Sequence, residues 1–102
     1  MKRLVKFVVL NKKWQHISQD KEVNEIHKFK SKYPANTFVR IPIEITKNKI
    51  NLLTEDVNAD GYVVISKHDY VENNPKQKQN AKLRLENCKK LCEEAVNDFN
   101  NK

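Results

Sequence analysis

The sequence predicts an α+β domain, a mostly antiparallel sheet of about four strands with two helices packed on one face, in the order β-α-β-β-β-α. Three patterns carry that expectation: an apolar run from Leu4 to Leu10, strict alternation from Thr37 to Thr46, and an apolar stripe from Ala81 to Phe99 spaced by three or four residues. At 102 residues the chain has room for one core, so residues 1–102 are expected to form a single domain.

Leu4, Val5, Phe7, Val8, Val9 and Leu10 are interrupted only by Lys6, the pattern of a strand covered on both faces and therefore expected at the centre of the sheet. Val23, Ile26, Phe29 and Tyr33 recur at helical spacing until Pro34, which predicts a first helix over residues 20–32. Val39, Ile41, Ile43 and Ile45 then alternate with Phe38, Arg40, Pro42 and Glu44, as in a half-buried strand. Pro42 cannot donate to a ladder, so this strand lies at an edge or turns the proline nitrogen away from its neighbour. Lys47, Asn48 and Lys49 make a turn into a strand carrying Ile50, Leu52 and Leu53, and Tyr62–Lys67 reads as a further strand after the turn at Asp60 and Gly61.

The last helix has a marked start: Asn74 as N-cap, Pro75 at the first helical position and Gln77 three residues after the cap. Ala81, Leu85, Cys88, Cys92, Ala95, Val96 and Phe99 give it an apolar face. Its charges run against its dipole, with Lys76, Lys78, Lys82 and Arg84 at the start and Glu93, Glu94 and Asp98 near the end. Each forgoes or opposes about 0.3–1 kcal/mol, which an anion docked at the N-terminus would offset. Asn100, Asn101 and Lys102 are expected to fray.

Twenty Lys and Arg against 13 Asp and Glu give a formal charge of +7, which suits polyanionic partners. Only Arg3, Arg40 and Arg84 are arginine, so bidentate base readout is disfavoured relative to phosphate contact. The charge is uneven. Residues 51–74 carry one cation, Lys67, against Glu55, Asp56, Asp60, Asp69 and Glu72, an acidic island in a basic chain. The Leu4–Leu10 run is far shorter than the ~20 residues that cross a bilayer, and no secretory cleavage pattern follows it. With Cys88 and Cys92 read as reduced thiols, a cytoplasmic location is expected.

Asp56, Asn58, Asp60 and Gly61 occupy positions 1, 3, 5 and 6 of a calcium loop, but Val64 and Lys67 stand at the ninth and twelfth positions, where an oxygen ligand and a bidentate Glu belong. A plain turn is the better reading. Cys88 and Cys92 lie on an apolar stripe with no histidine at ligand spacing, so they read as core residues. Trp14, His16, Tyr33 and Tyr70 are candidates for stacking on bases, and aromatics flanking strands and helices also serve as core or lid. Lys28, Lys30 and Lys32 end the first helix, where they favour its dipole.

Lys78-Gln79-Asn80-Ala81-Lys82 keeps three of the four defined positions of a Lys-Lys-x-Ala-Lys motif that opens the last helix of the double-stranded-RNA-binding domain. Over residues 19–98 the order of helix, three strands and helix resembles that family, and the resemblance implies that Lys78 and Lys82 grip phosphates across a groove. The chain departs from it where Lys47, Asn48 and Lys49 replace a Gly-Pro-His hairpin, and in the additional strand at Leu4–Leu10.

No triad, phosphate-cradling loop or complete metal set is visible, so no catalytic residue, metal or cofactor is expected. The expectation is a small non-enzymatic protein contacting nucleic-acid phosphates through Lys76, Lys78, Lys82 and Arg84, with Lys28, Lys30 and Lys32, largely without reading sequence. The alternative is a regulator or inhibitor of the kind encoded by phages and mobile elements, binding a host protein through Glu55, Asp56, Asp60, Asp69 and Glu72 as well as its lysines. An exposed edge at the Pro42 strand would permit a homodimer.

Overall fold

Apolar residues with no polar alternation need cover above and below, and two of the strands are of this kind. In the computed structural model, which describes residues 4–10, 26–47, 49–77 and 81–101, strands β1 (Val5–Val9), β2 (Phe38–Thr46), β3 (Lys49–Leu52) and β4 (Gly61–Ser66) form one antiparallel sheet ordered β1-β4-β2-β3. Helix α1 (Ile26–Lys32) precedes β2, and α2 (Lys67–Asn73), a 3-10 turn at Pro75–Gln77 and α3 (Ala81–Asn100) follow β4. The α+β class is as expected, with one helix more than the expected pair. The first helix was expected from residue 20; residues 11–25 lie outside the described set.

The helices do not share a face. Phe7, Val9, Val39, Ile43, Val63 and Ile65 pack with Tyr70 of α2 and with Cys88, Cys92 and Val96 of α3. On the opposite face Val8, Leu10, Tyr62 and Val64 pack with Phe29, midway along α1, and with Tyr33 just beyond its end. The Phe29 ring stacks on Tyr62, centroids 4.1 Å apart and planes within 15°. The expectation of two helices on one face fails because β1 and β4 are apolar on both sides. Covering one side alone would leave Val8, Tyr62 and Val64 in water, at about 1.5–3 kcal/mol for each large side chain.

β1 is covered on both faces, as its sequence predicts, but it lies at an edge and not at the centre. Burial above and below says nothing about what lies beside a strand. β2 is interior, between β4 and β3, with the Pro42 nitrogen turned from β4 toward the end of β3. There the Leu53 N–H donates to the Pro42 carbonyl at 2.8 Å, a bond that needs no donor from proline.

Gly61, the chain's only glycine, serves β4 and not a turn. It has no positive φ; the left-handed residue of the preceding loop is Asn58, at φ 63°. Gly61 sits opposite Val9, and a Cβ built on it would overlap the Val8 carbonyl oxygen and lie 3.1 Å from the Val9 Cα. The strand pairing there depends on the missing side chain.

The acidic stretch after β4 is helical. Ser66 is the N-cap of α2, its Oγ accepting from the Asp69 N–H at 3.3 Å. Asn74 is the C-cap of α2 and not the N-cap of the last helix: its N–H donates to the Val71 carbonyl and its side-chain amide to the Tyr70 carbonyl at 3.1 Å. Pro75 then opens the 3-10 turn, and α3 is assigned from Ala81. A cap signal is local, and Asn closes a helix as well as it opens one.

α3 covers the first face with Cys88, Cys92 and Val96 buried, while Leu85 is 36% exposed near its start. Its far end, where Asn100, Asn101 and Lys102 were expected to fray, is bonded to the sheet at Asn100; Lys102 lies outside the described residues. The Asn100 side chain accepts from the Ile50 N–H at 2.8 Å and donates to the Ile50 carbonyl at 2.7 Å, pairing with the outer edge of β3 as a strand would. Lys49 Nζ donates to the Asn100 carbonyl at 3.2 Å, which also places a cation at the helix C-terminus.

Gly61→Ala is expected to lower stability by about 2–3 kcal/mol, because the β1 backbone must move to admit the methyl group; a urea midpoint equal to that of the parent would contradict this. Asn100→Ala should cost about 1–2 kcal/mol through its two bonds to Ile50. Asn101→Ala, an exposed change one residue on, is the control and should cost far less.

Candidate functional site

Two adjoining concavities lie where β4 ends, β2 begins and α3 starts. One is lined by Asn36, Thr37, Ser66, Lys67, His68, Val71 and Arg84, and the other by Lys67, Lys82, Arg84 and Leu85. Lys67 and Arg84 belong to both, so the surface is continuous. It offers cations, hydroxyls and an amide, with no carboxylate among these lining residues.

The chain brings these residues together from three places. Pro34 ends α1, and the Thr37 Oγ and Phe38 N–H both donate to its carbonyl, folding residues 34–37 into a turn at the start of β2. The Lys67 N–H donates to the Thr37 carbonyl at 2.9 Å, which fixes the start of α2 against that turn. Lys67 Nζ donates to the Ala35 carbonyl at 2.7 Å, leaving its other two protons for an external acceptor. Arg84, half-buried in the first turns of α3, closes the surface from the other side, and Lys82 is exposed beside it. Neither has a carboxylate partner among the described residues. His68 pairs with Glu72 one turn along α2, Nε2 to Oε1 3.0 Å.

Sequence reasoning singled out Lys82 and Arg84 and missed Lys67 and His68, which it placed at the end of a strand and in the acidic stretch. The signal was Ser66-Lys67-His68-Asp69, a Ser followed three residues later by an acid, which marks a helix start. Lys76 is exposed in the 3-10 turn and does not line either concavity; Lys78 lies outside the described residues. Lys28, Lys30 and Lys32 are on α1, whose Phe29 packs on the opposite face of the sheet. There Lys30 Nζ pairs with Asp56 Oδ2 at 2.7 Å, and Lys32 Nζ lies 5.5 Å from the centroid of the Tyr33 ring. The two lysine groups do not form one surface.

The acidic residues also separate. Glu55, Asp56 and Asp60 precede β4, and Asp69 and Glu72 follow it, so the strand's length of about 17 Å lies between them. Asp60 Oδ2 accepts from the Ile45 N–H at 2.9 Å, continuing the β2 ladder beyond the first residue of β4. Asp56 turns to Lys30. The bond to Lys30 holds the Asp56 carboxyl below its usual value despite some burial. The two aspartates of the calcium-like loop are therefore committed to different partners, and no group of three or more metal-ligating side chains occurs among the described residues.

Tyr33 and Tyr70 are buried in opposite cores, 4% and 5% exposed, so neither offers a ring for base stacking; Trp14 and His16 lie outside the described residues. The Tyr62 hydroxyl is buried without a partner of hydrogen-bonding geometry among the described residues. Burial first, and the nearby Asp56 carboxylate second, push that phenol up to about 12. Burial also pushes the Cys92 thiol up to about 12, helped by Cys88 and Glu93. Cys88 is raised by burial as well, with the Arg84 and Lys67 charges pulling the other way, so the floor of the basic surface is this thiol's neighbour. Neither thiol is an available nucleophile.

No protein-family model, curated protein or solved structure matches the chain. No helix among the described residues is long and apolar enough to cross a membrane.

Raised acids make the fold sensitive to alkali. In the unfolded chain Cys92 and Tyr62 lose their protons near 9 and 10, whereas the folded protein keeps both neutral there. Their contribution is complete below those unfolded values and declines as pH rises from about 9 toward 12. Urea midpoints should fall progressively across that window, and a midpoint unchanged between pH 8 and pH 10.5 would count against it.

Proposed function

We propose that the protein is a non-enzymatic binding domain that holds nucleic-acid phosphates at the surface formed by Lys67, Lys82 and Arg84. One observation carries this reading: cations from two helices line a continuous concavity that has no carboxylate among its lining residues. Thr37, Ser66 and Asn36 add polar groups of the kind that meet phosphate oxygens. A planar guanidinium and two ammonium groups position a backbone, but nothing in that set discriminates bases, so the binding is largely independent of sequence. Exposed Lys76 lies on the 3-10 turn between α2 and α3, where it extends the same positive field.

A binding role is favoured over a catalytic one by the burial of both thiols and by the engagement of Asp56 and Asp60 in structural bonds. The reading entails a cytoplasmic protein that meets its ligand without a cofactor. The rival partner is a host protein, contacted by a regulator of phage or mobile-element type. That reading draws on the same cations, together with Asp69 and Glu72 of α2.

Three phosphate contacts imply a steep salt dependence. Affinity for a labelled single-stranded or duplex oligonucleotide should fall about twentyfold to fortyfold over a fourfold rise in salt. Lys82→Glu combined with Arg84→Gln should remove most of it at equal thermal stability. Retained affinity in that folded double variant would sink the proposal. Loss of a host-protein partner in the same variant, with oligonucleotide binding never detected, would favour the rival.

A further inference from the structure

β2 has nine residues, but its two neighbours cover it unequally. β4 pairs with Phe38–Ile43, while β3 pairs only with Ile43–Thr46. The chain leaves β2 just after β3, where the Leu53 N–H donates to the Pro42 carbonyl. On the β3 side, the start of β2 has no strand beside it among the described residues.

Which groups face that opening follows from the pleat. The Ile43 carbonyl accepts from the Asp60 N–H and the Thr37 carbonyl from the Lys67 N–H, so odd-numbered residues of β2 turn their polar groups toward β4. Arg40 therefore turns its N–H and carbonyl to the open side, and no hydrogen bond among the described residues reaches them. Phe38 has its N–H already taken by Pro34, and Pro42 has none to offer.

The opening is a groove and not a flat edge. A cavity of about 400 Å³ is lined by Arg40, Ile41, Pro42 and Leu52 on the sheet side and by Lys89 and Glu93 of α3 on the other. That volume is in the range of pockets that take small ligands. Its floor is apolar, with Leu52 37% exposed, and its charged lining has two cations to one carboxylate.

We propose that this groove is a docking slot for an extended peptide segment in which apolar residues alternate with carboxylates. The segment would lie where β3 would have continued, its main chain exchanging hydrogen bonds with Arg40, an apolar side chain resting on Ile41 and Leu52, and a carboxylate reaching Lys89. An open ladder position presents a donor and an acceptor together, which a polypeptide main chain matches with both of its own groups, whereas a phosphodiester has only acceptors and leaves the Arg40 carbonyl unpaired. The slot is thus separate from the phosphate surface at Lys67, Lys82 and Arg84, and it stands whether or not that surface binds nucleic acid.

The test uses the full chain, isotopically labelled, titrated with an acetylated and amidated hexapeptide of alternating valine and glutamate, followed by amide chemical shifts. The same peptide N-methylated on alternate backbone amides is the comparison. Shifts centred on Arg40, Leu53 and Lys89, abolished by N-methylation, are expected, and the exposed change Lys89→Glu should weaken binding at least about threefold. The proposal is overturned by no shift at millimolar peptide, by equal binding of the N-methylated peptide, or by shifts gathered at Lys82 and Arg84.

Discussion

Residues 61–65 of β4 are buried in succession, from Gly61 through Ile65, and a strand with no solvent face must be closed in on every side. β1 and β2 flank it, α3 covers Val63 and Ile65, and α1 covers Tyr62 and Val64. The rest of the architecture depends on that enclosure. It divides the helices between the two faces of the sheet and sets the register in which Gly61 meets Val9.

The same strand separates the charges. Acids that are contiguous in sequence become two groups, one at each end of β4, and Asp56 and Asp60 are drawn into bonds that hold α1 and β2 in place. At the exit of β4 the chain turns at once into α2, which brings Lys67 to the first turns of α3. The basic surface is therefore a junction of three elements. The charges of α3 that oppose its dipole need no ligand for stability, since the buried stripe through Cys88, Cys92 and Val96 and the Asn100 clasp on Ile50 anchor the helix. They matter through position: Arg84 and Lys82 border the surface that Lys67 completes.

Strand positions were legible wherever period or burial was written locally. The alternation from Phe38 to Thr46, the run through Val5–Val9 and the stripe of α3 each became the element predicted. α2 was overlooked because its apolar content is confined to Tyr70 and Val71 within seven residues, too little to show a helical period. Two of the three cations of the candidate surface were legible for a related reason. Lys82 and Arg84 stand out against a helix dipole, whereas Lys67 owes its place to a hydrogen bond with Thr37, 30 positions earlier.

By itself the sequence determined the class of the fold, most of its elements and the excess of positive charge, because backbone period and side-chain polarity are properties of neighbours along the chain. Only the tertiary structure decided that β1 is an edge, that α1 and α3 lie on opposite faces, that Lys30 belongs to Asp56, and that among the described residues part of β2 stays open beside α3. Those outcomes are pairings between distant segments. A residue's own pattern specifies that it needs a partner above, below or beside it, and the packing of the whole chain specifies which one it receives.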